Sequence, residues 1–158
     1  MEIFQSFAEI SIGILGFTAI VIMFRPHHDK WNNSVYQGMI GHSIQALLYS
    51  ILPFILDAYH CKPSTIWMVG SIVLGTATFF QGVLVLILDK ESKFRTRLLM
   101  CVTSVAMALL QAFNVIGIWS NQEKGPYIIG ITWHIFQSIL IFSMLVGKKL
   151  DQDVKDKP

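Results

Sequence analysis

Apolar residues in this chain come in five long runs separated by short polar stretches. The runs extend approximately from Phe4 to Phe24, Tyr36 to Leu56, Ile66 to Leu88, Leu98 to Trp119 and Tyr127 to Gly147. A helix of about 20 residues crosses the roughly 30 Å of hydrocarbon in a bilayer, and each run reaches that length. Within lipid the backbone must satisfy its own hydrogen bonds, which leaves helices and closed barrels as spanning structures. The runs lack two-residue alternation and are too long for barrel strands. The pattern therefore predicts an all-α transmembrane helix bundle of five spans, a single domain over residues 1–147 followed by a flexible charged tail over 148–158. The first run begins Met1, Glu2 and ends Phe24, Arg25, Pro26. It lacks the basic start and small-residue cleavage site of a signal peptide, so it is expected to be a retained span.

Composition agrees with lipid as the solvent. Charged residues make up 14% of the chain and hydrophobic ones 53%, whereas a soluble domain carries about a quarter of its residues as charges. A net charge of +2, with no basic stripe interleaved with aromatics, argues against a nucleic-acid partner. The distribution of charge says more than its sum. Arg25, Lys30, Lys90, Lys93, Arg95, Arg97, Lys148, Lys149, Lys155 and Lys157 fall on one side of the predicted membrane, and Lys62 and Lys124 on the other. Positive charge stays cytoplasmic when loops are short, so the N-terminus is expected outside and the C-terminus in the cytoplasm. Trp67, Trp119, Tyr59 and Tyr127 fall at the predicted outer ends, where amphipathic rings are stable.

Intramembrane polar side chains are where function is sought first, because each raises the free energy unless it is partnered. The candidates for an ion or proton path are Glu9 in the first span, His42 and Gln45 in the second, Gln81 in the third, Gln111 and Asn114 in the fourth, and His134 and Gln137 in the fifth. With a rise of about 1.5 Å per residue, Glu9, Gln111, Asn114 and His134 fall roughly 4 to 9 Å to the outer side of each span's middle. His42 and Gln81 fall roughly 6 Å to the inner side. The reading is thus two polar levels, with Glu9 and His134 at one of them. Glu9 shares a helical face with Gly13, Gly16 and Ile20, which predicts that it faces a neighbouring helix. The alternative role for all these groups is interhelical hydrogen bonding.

Small residues suit helix packing: Gly13 and Gly16, then Ser71 and Gly75, then Ser104, Ala108 and Ala112. Small side chains at helical spacing let backbones approach closely. Pro53 lies inside the second span and removes the amide that would bond the carbonyl of Tyr49, which predicts a kink and a free carbonyl. Asp57, His60 and Cys61 could share a face only if that helix continued past them, and His27, His28 and Asp29 diverge as sequence neighbours. No metal and no cofactor is expected. Cys61 and Cys101 are predicted at opposite membrane faces, unable to bond within one chain. No nucleophile elbow, zinc-protease helix or phosphate loop occurs, and an intramembrane enzyme would depend on Glu9 with His134.

Glu9, then Gly16, Phe17, Thr18, Ala19, Ile20 and Val21, Arg25, Trp31, Leu52 and Pro53, and the closing stretch from Gly125 through Trp133 to Gln137 and Phe142 give the chain a family likeness. It resembles a diffuse group of small uncharacterised bacterial multi-pass inner-membrane proteins. The resemblance implies a bacterial inner-membrane setting and carries no activity with it. The expected function is that of a non-enzymatic multi-pass protein, a homo-oligomer in the lipid bilayer with an ion or proton path. A scaffold or regulatory subunit is the competing class, and an enzyme on a lipid-soluble substrate is the third.

Overall fold

The computed structural model describes residues 2–23, 30–89, 94–118 and 124–155. Among them there are five α-helices and no strand: α1 (Glu2–Met23), α2 (Lys30–Ala58), α3 (Pro63–Leu88), α4 (Phe94–Val115) and α5 (Lys124–Lys155). Each contains a segment long and apolar enough to cross a membrane. Large apolar side chains such as Phe80, Leu84, Leu99 and Phe136 are more than half exposed or close to it, at 58, 50, 64 and 53%. An exterior of that kind is stable against lipid tails rather than water. The chain is a multi-pass membrane helix bundle.

Local chemistry sets the helix ends. Pro63 is suited to the first turn of α3, where its missing amide would have had no intrahelical partner. At the end of α4, Gly117 takes φ 80°, the amide of Ile118 bonds the carbonyl of Phe113 at 3.2 Å, and that of Gly117 bonds Asn114 at 3.1 Å. This paired closure needs a left-handed residue. It ends α4 at Val115, whereas the apolar run continues to Trp119, which is outside the described residues. The end of α2 closes the same way through His60, at φ 57°, with the Cys61 amide on Leu56 and the His60 amide on Asp57. Asp57, His60 and Cys61 therefore share no helical face. The backbone of α5 runs helical to Lys155. No helix breaker follows Gly147 before Pro158.

The chain divides into two compact units. One contains Tyr49–Ile131, and the other combines Glu2–Leu48 with Thr132 onward. In the first, α3 packs on α4 through small residues. A Cβ added at Gly75 would stand 2.8 Å from the Cβ of Gln111, and one at Gly82 would stand 2.6 Å from the Cβ of Ser104. The backbones approach this closely because both glycines lack side chains. In the second unit α1 turns Phe4, Ser11 and Thr18 inward, each at most 2% exposed. These residues recur every seven positions, near two helical turns, so they line one face.

Candidate functional site

Within the unit formed by Tyr49–Ile131, Tyr127 near the start of α5 is completely buried. Its hydroxyl donates to the carbonyl of Tyr49 at 2.6 Å. That is the carbonyl Pro53 leaves without its helical amide, so the acceptor expected to be free is satisfied by a phenol. The ring has room because position 70 is glycine: a Cβ there would lie 2.8 Å from the Tyr127 ring. Trp67 packs against the same ring at 5.9 Å between centroids, and the ammonium of Lys124 stands 5.5 Å from the Trp67 ring centroid.

Gln111 on α4, fully buried, reaches toward α5. Its Nε2 donates to the carbonyl of Pro126 at 2.7 Å, and the approach is open because Gly130 has no side chain, a Cβ there falling 2.9 Å from that nitrogen. Its Oε1 is buried with no hydrogen-bond partner. One turn along α4, Asn114 Nδ2 donates to Ser71 Oγ on α3 at 2.8 Å. At the other end of the α3–α4 pair, Arg97 donates to the carbonyl of Leu86 at 3.3 Å, placing a cation at the negative end of α3. Gln81 on α3 is half-buried. Ser71, Gly75, Ala108 and Ala112 line an outward-opening groove of about 380 Å³. Cys61 and Cys101 are both free thiols.

The second unit holds a different set. His42 on α2 and His134 on α5 meet at 3.1 Å between their Nδ1 atoms, with ring centroids 5.3 Å apart and planes inclined at 43°. His134 is fully buried and His42 is half-buried. One residue on from His42, Ser43 Oγ lies 3.0 Å from Ser138 Oγ. Both hydroxyls lie within reach of the Met39 carbonyl, at 3.0 and 3.2 Å. Gln137 is buried beside this layer in sequence, and Gln45 has its Oε1 buried without a hydrogen-bond partner.

The two histidines thus share one depth, where the sequence put them on opposite sides of the bilayer middle. Measuring from the midpoints of apolar runs misplaced them because hydropathy leaves the axial offset between α2 and α5 undetermined. Glu9 differs too. It is exposed, accepts from Gln5 Nε2 at 3.0 Å, and among the described residues nothing lies within 4 Å of a Cβ built at Gly13 or Gly16 on its face. The Glu9–His134 pairing that an enzyme would depend on is absent, since His134 is buried against His42. Within its own unit, Gln111 bonds Pro126 and Asn114 bonds Ser71, while His134 meets His42 and Glu9 bonds Gln5.

Compared with known protein families, curated proteins and solved structures, the chain finds no match. The site has to be read from its own chemistry. Among the described residues no group of three His, Cys, Asp or Glu is placed to hold a metal ion. His27, His28 and Asp29, together with Arg25, Lys90, Lys93 and Lys157 from the charge count, lie outside the described residues. The sequence marks Tyr127 only as an interfacial ring, and nothing in it marks Ser43, Ser138, Gly70 or Gly130 as site residues. Ser43 is the residue after His42, and Ser138 lies one helical turn after His134.

Proposed function

We propose that this chain is a non-enzymatic, multi-pass protein of a bacterial inner membrane, C-terminus cytoplasmic, in which the His42–His134 pair takes up and passes on a proton. The carrying observation is the direct 3.1 Å contact between two imidazole nitrogens in the middle of an apolar helix pair. Two neutral imidazoles meeting nitrogen to nitrogen hold one hydrogen between those atoms, one ring donating and the other accepting. A hydrogen held between two rings in this way can pass from one to the other, which is the step a relay needs. Purified protein in liposomes carrying an internal pH dye is expected to acidify the lumen under an imposed potential, and His134→Gln to fall to the rate of empty vesicles. Wild-type flux equal to that of empty vesicles across pH and voltage would sink the proposal.

A second reading is favoured by the Tyr127–Tyr49, Asn114–Ser71 and Ser43–Ser138 bonds: a scaffold or regulatory subunit whose polar groups lock helices together. It is the reading that remains if no flux is seen while His42→Gln and His134→Gln each lower the unfolding stability.

A further inference from the structure

α1 has two faces that point opposite ways. Phe4, Ser11 and Thr18 face inward, and the two hydroxyls bond their own backbone, Ser11 to Phe7 at 2.7 Å and Thr18 to Ile14 at 2.6 Å. Glu2, Gln5, Glu9, Gly13, Gly16 and Ile20 are all exposed. At about 100° per residue these six fall within roughly 40° of the Glu9 direction, across the helix from the buried line. A carboxyl and a carboxamide therefore stand on an outer surface whose surroundings are hydrocarbon, with Glu9 about 10 Å along the axis from Glu2. Polar groups there raise the free energy unless partnered. The internal Gln5–Glu9 bond uses one amide hydrogen and one carboxyl oxygen, leaving a second donor and two further acceptor atoms on the face.

We infer that this face of α1 binds the same face of a second copy of the chain. The surface is self-complementary: it carries a donor amide and an acceptor carboxyl four residues apart, so a twofold axis makes each Gln5-to-Glu9 bond between copies twice. Below them, Gly13 and Gly16 present bare backbone, allowing the two helices to close. Beside the line, an outward-opening apolar groove of about 260 Å³ runs along Ile10, Gly13 and Phe17 with Ile139 and Phe142 of α5. It has the room to receive apolar side chains from the facing helix. A lipid tail fits the groove but offers nothing to the second amide hydrogen of Gln5 and the two remaining acceptor oxygens of Gln5 and Glu9, which is why the second copy is the occupant.

The test is cysteine crosslinking in liposomes of phosphatidylethanolamine and phosphatidylglycerol at high lipid-to-protein ratio. Cys61→Ser and Cys101→Ser supply a background without thiols, and single cysteines are introduced at Gly13 or Gly16 on the line and at Ile3 or Ala19, exposed but off it. Covalent dimer is expected to form at least about fivefold faster on the line than off it. Gln5→Leu with Glu9→Leu is expected to weaken dimerisation of the Gly16→Cys protein about tenfold, the effect of losing two or more membrane hydrogen bonds. These side chains point away from the chain's own packing, so helical content and melting in denaturing mixed micelles should be unchanged, separating loss of pairing from loss of fold. Equal crosslinking on and off the line, or a monomeric mass in mild detergent for a fully folded protein, would overturn the inference. So would a different protein captured on the line in cell membranes in place of the second copy. None of these outcomes depends on proton flux, so this inference and the relay fail separately.

Discussion

The two units weight their polar side chains differently. In the unit built from Tyr49–Ile131, three polar side chains reach across to a fixed acceptor, Tyr127 to the carbonyl of Tyr49, Gln111 to that of Pro126 and Arg97 to that of Leu86, beside one side-chain pair, Asn114 with Ser71. A backbone carbonyl cannot rotate away, and glycines at 70, 75 and 130 bring the helices close enough to reach it. In the other unit side chain meets side chain, His42 with His134 and Ser43 with Ser138, the two serines also reaching the Met39 carbonyl. Both partners can then donate or accept, and the direction of each bond can reverse without moving the backbone. The first arrangement holds geometry, and the second can move hydrogen.

The largest expected effect tests whether close approach is confined to the first unit. Gly75→Val forces side-chain atoms against the Cβ of Gln111, 2.8 Å from an added Cβ, and neither backbone can give way cheaply. It should destabilise the fold by about 2–3 kcal/mol. Gly13→Val, with nothing within 4 Å, should cost less than about 0.5 kcal/mol when measured on the monomer in denaturing mixed micelles. Equal losses at the two positions would erase the contrast.

Next in size is the Tyr127 hydroxyl. Tyr127→Phe leaves the Tyr49 carbonyl with neither its phenol nor, because of Pro53, a helical amide. The loss should be about 1–1.7 kcal/mol, the upper part of what membrane hydrogen bonds show. In Pro53→Ala the restored amide can bond that carbonyl, so Tyr127→Phe should cost about half as much there. A double-mutant cycle on unfolding free energy gives the answer, and strict additivity would mean the phenol does not substitute for the missing amide.

These residues also show what the amino-acid sequence can convey. The five spans are legible because lipid demands long apolar helices, and their ends shift only where local closure intervenes, as at Gly117. The missing amide at Pro53 was legible as well, since it follows from one residue's covalent structure. Its partner was not: Tyr127 lies 78 positions away, and its aromatic ring reads equally well as an interfacial anchor. The histidines were noticed as polar residues, but their meeting depends on how far α2 and α5 slide along each other, which hydropathy leaves undetermined. Gly13 and Gly16 suggest from the sequence that Glu9 faces a neighbouring helix. Small hydroxyl residues that bond their own backbone, Ser11 and Thr18, define the inward face instead, and they are inconspicuous in a hydropathy pattern.

Helix closure offers a smaller effect with the opposite sign. His60 occupies a left-handed conformation at φ 57° that glycine adopts without a Cβ penalty, as Gly117 does at the end of α4. His60→Gly should stabilise the Tyr49–Ile131 unit by about 0.5–1 kcal/mol. Thermal unfolding followed by circular dichroism would register it as a higher midpoint, and a lower midpoint would show that the His60 side chain has a role beyond closing α2.

The smallest effect lies at the serine layer and follows from counting hydrogens. Ser43 and Ser138 bring two hydroxyl hydrogens to three oxygen atoms, their own and the Met39 carbonyl, with separations of 3.0, 3.0 and 3.2 Å. Removing one hydroxyl by Ser138→Ala leaves Ser43 able to donate to Met39, so the carbonyl keeps a donor and the remaining hydroxyl keeps an acceptor. The expected cost is about 0.6 kcal/mol or less. Ser43→Ala is the symmetrical case, because Ser138 also reaches the same carbonyl, and it should cost about as little. Removing both together leaves the α2 carbonyl with only its own helical bond, and the double variant should lose more than the sum of the singles. If either single variant instead loses more than about 2 kcal/mol, the layer is as rigidly fixed as the Tyr127 bond. The claim that the second unit tolerates reversal of its hydrogen bonds would then fail.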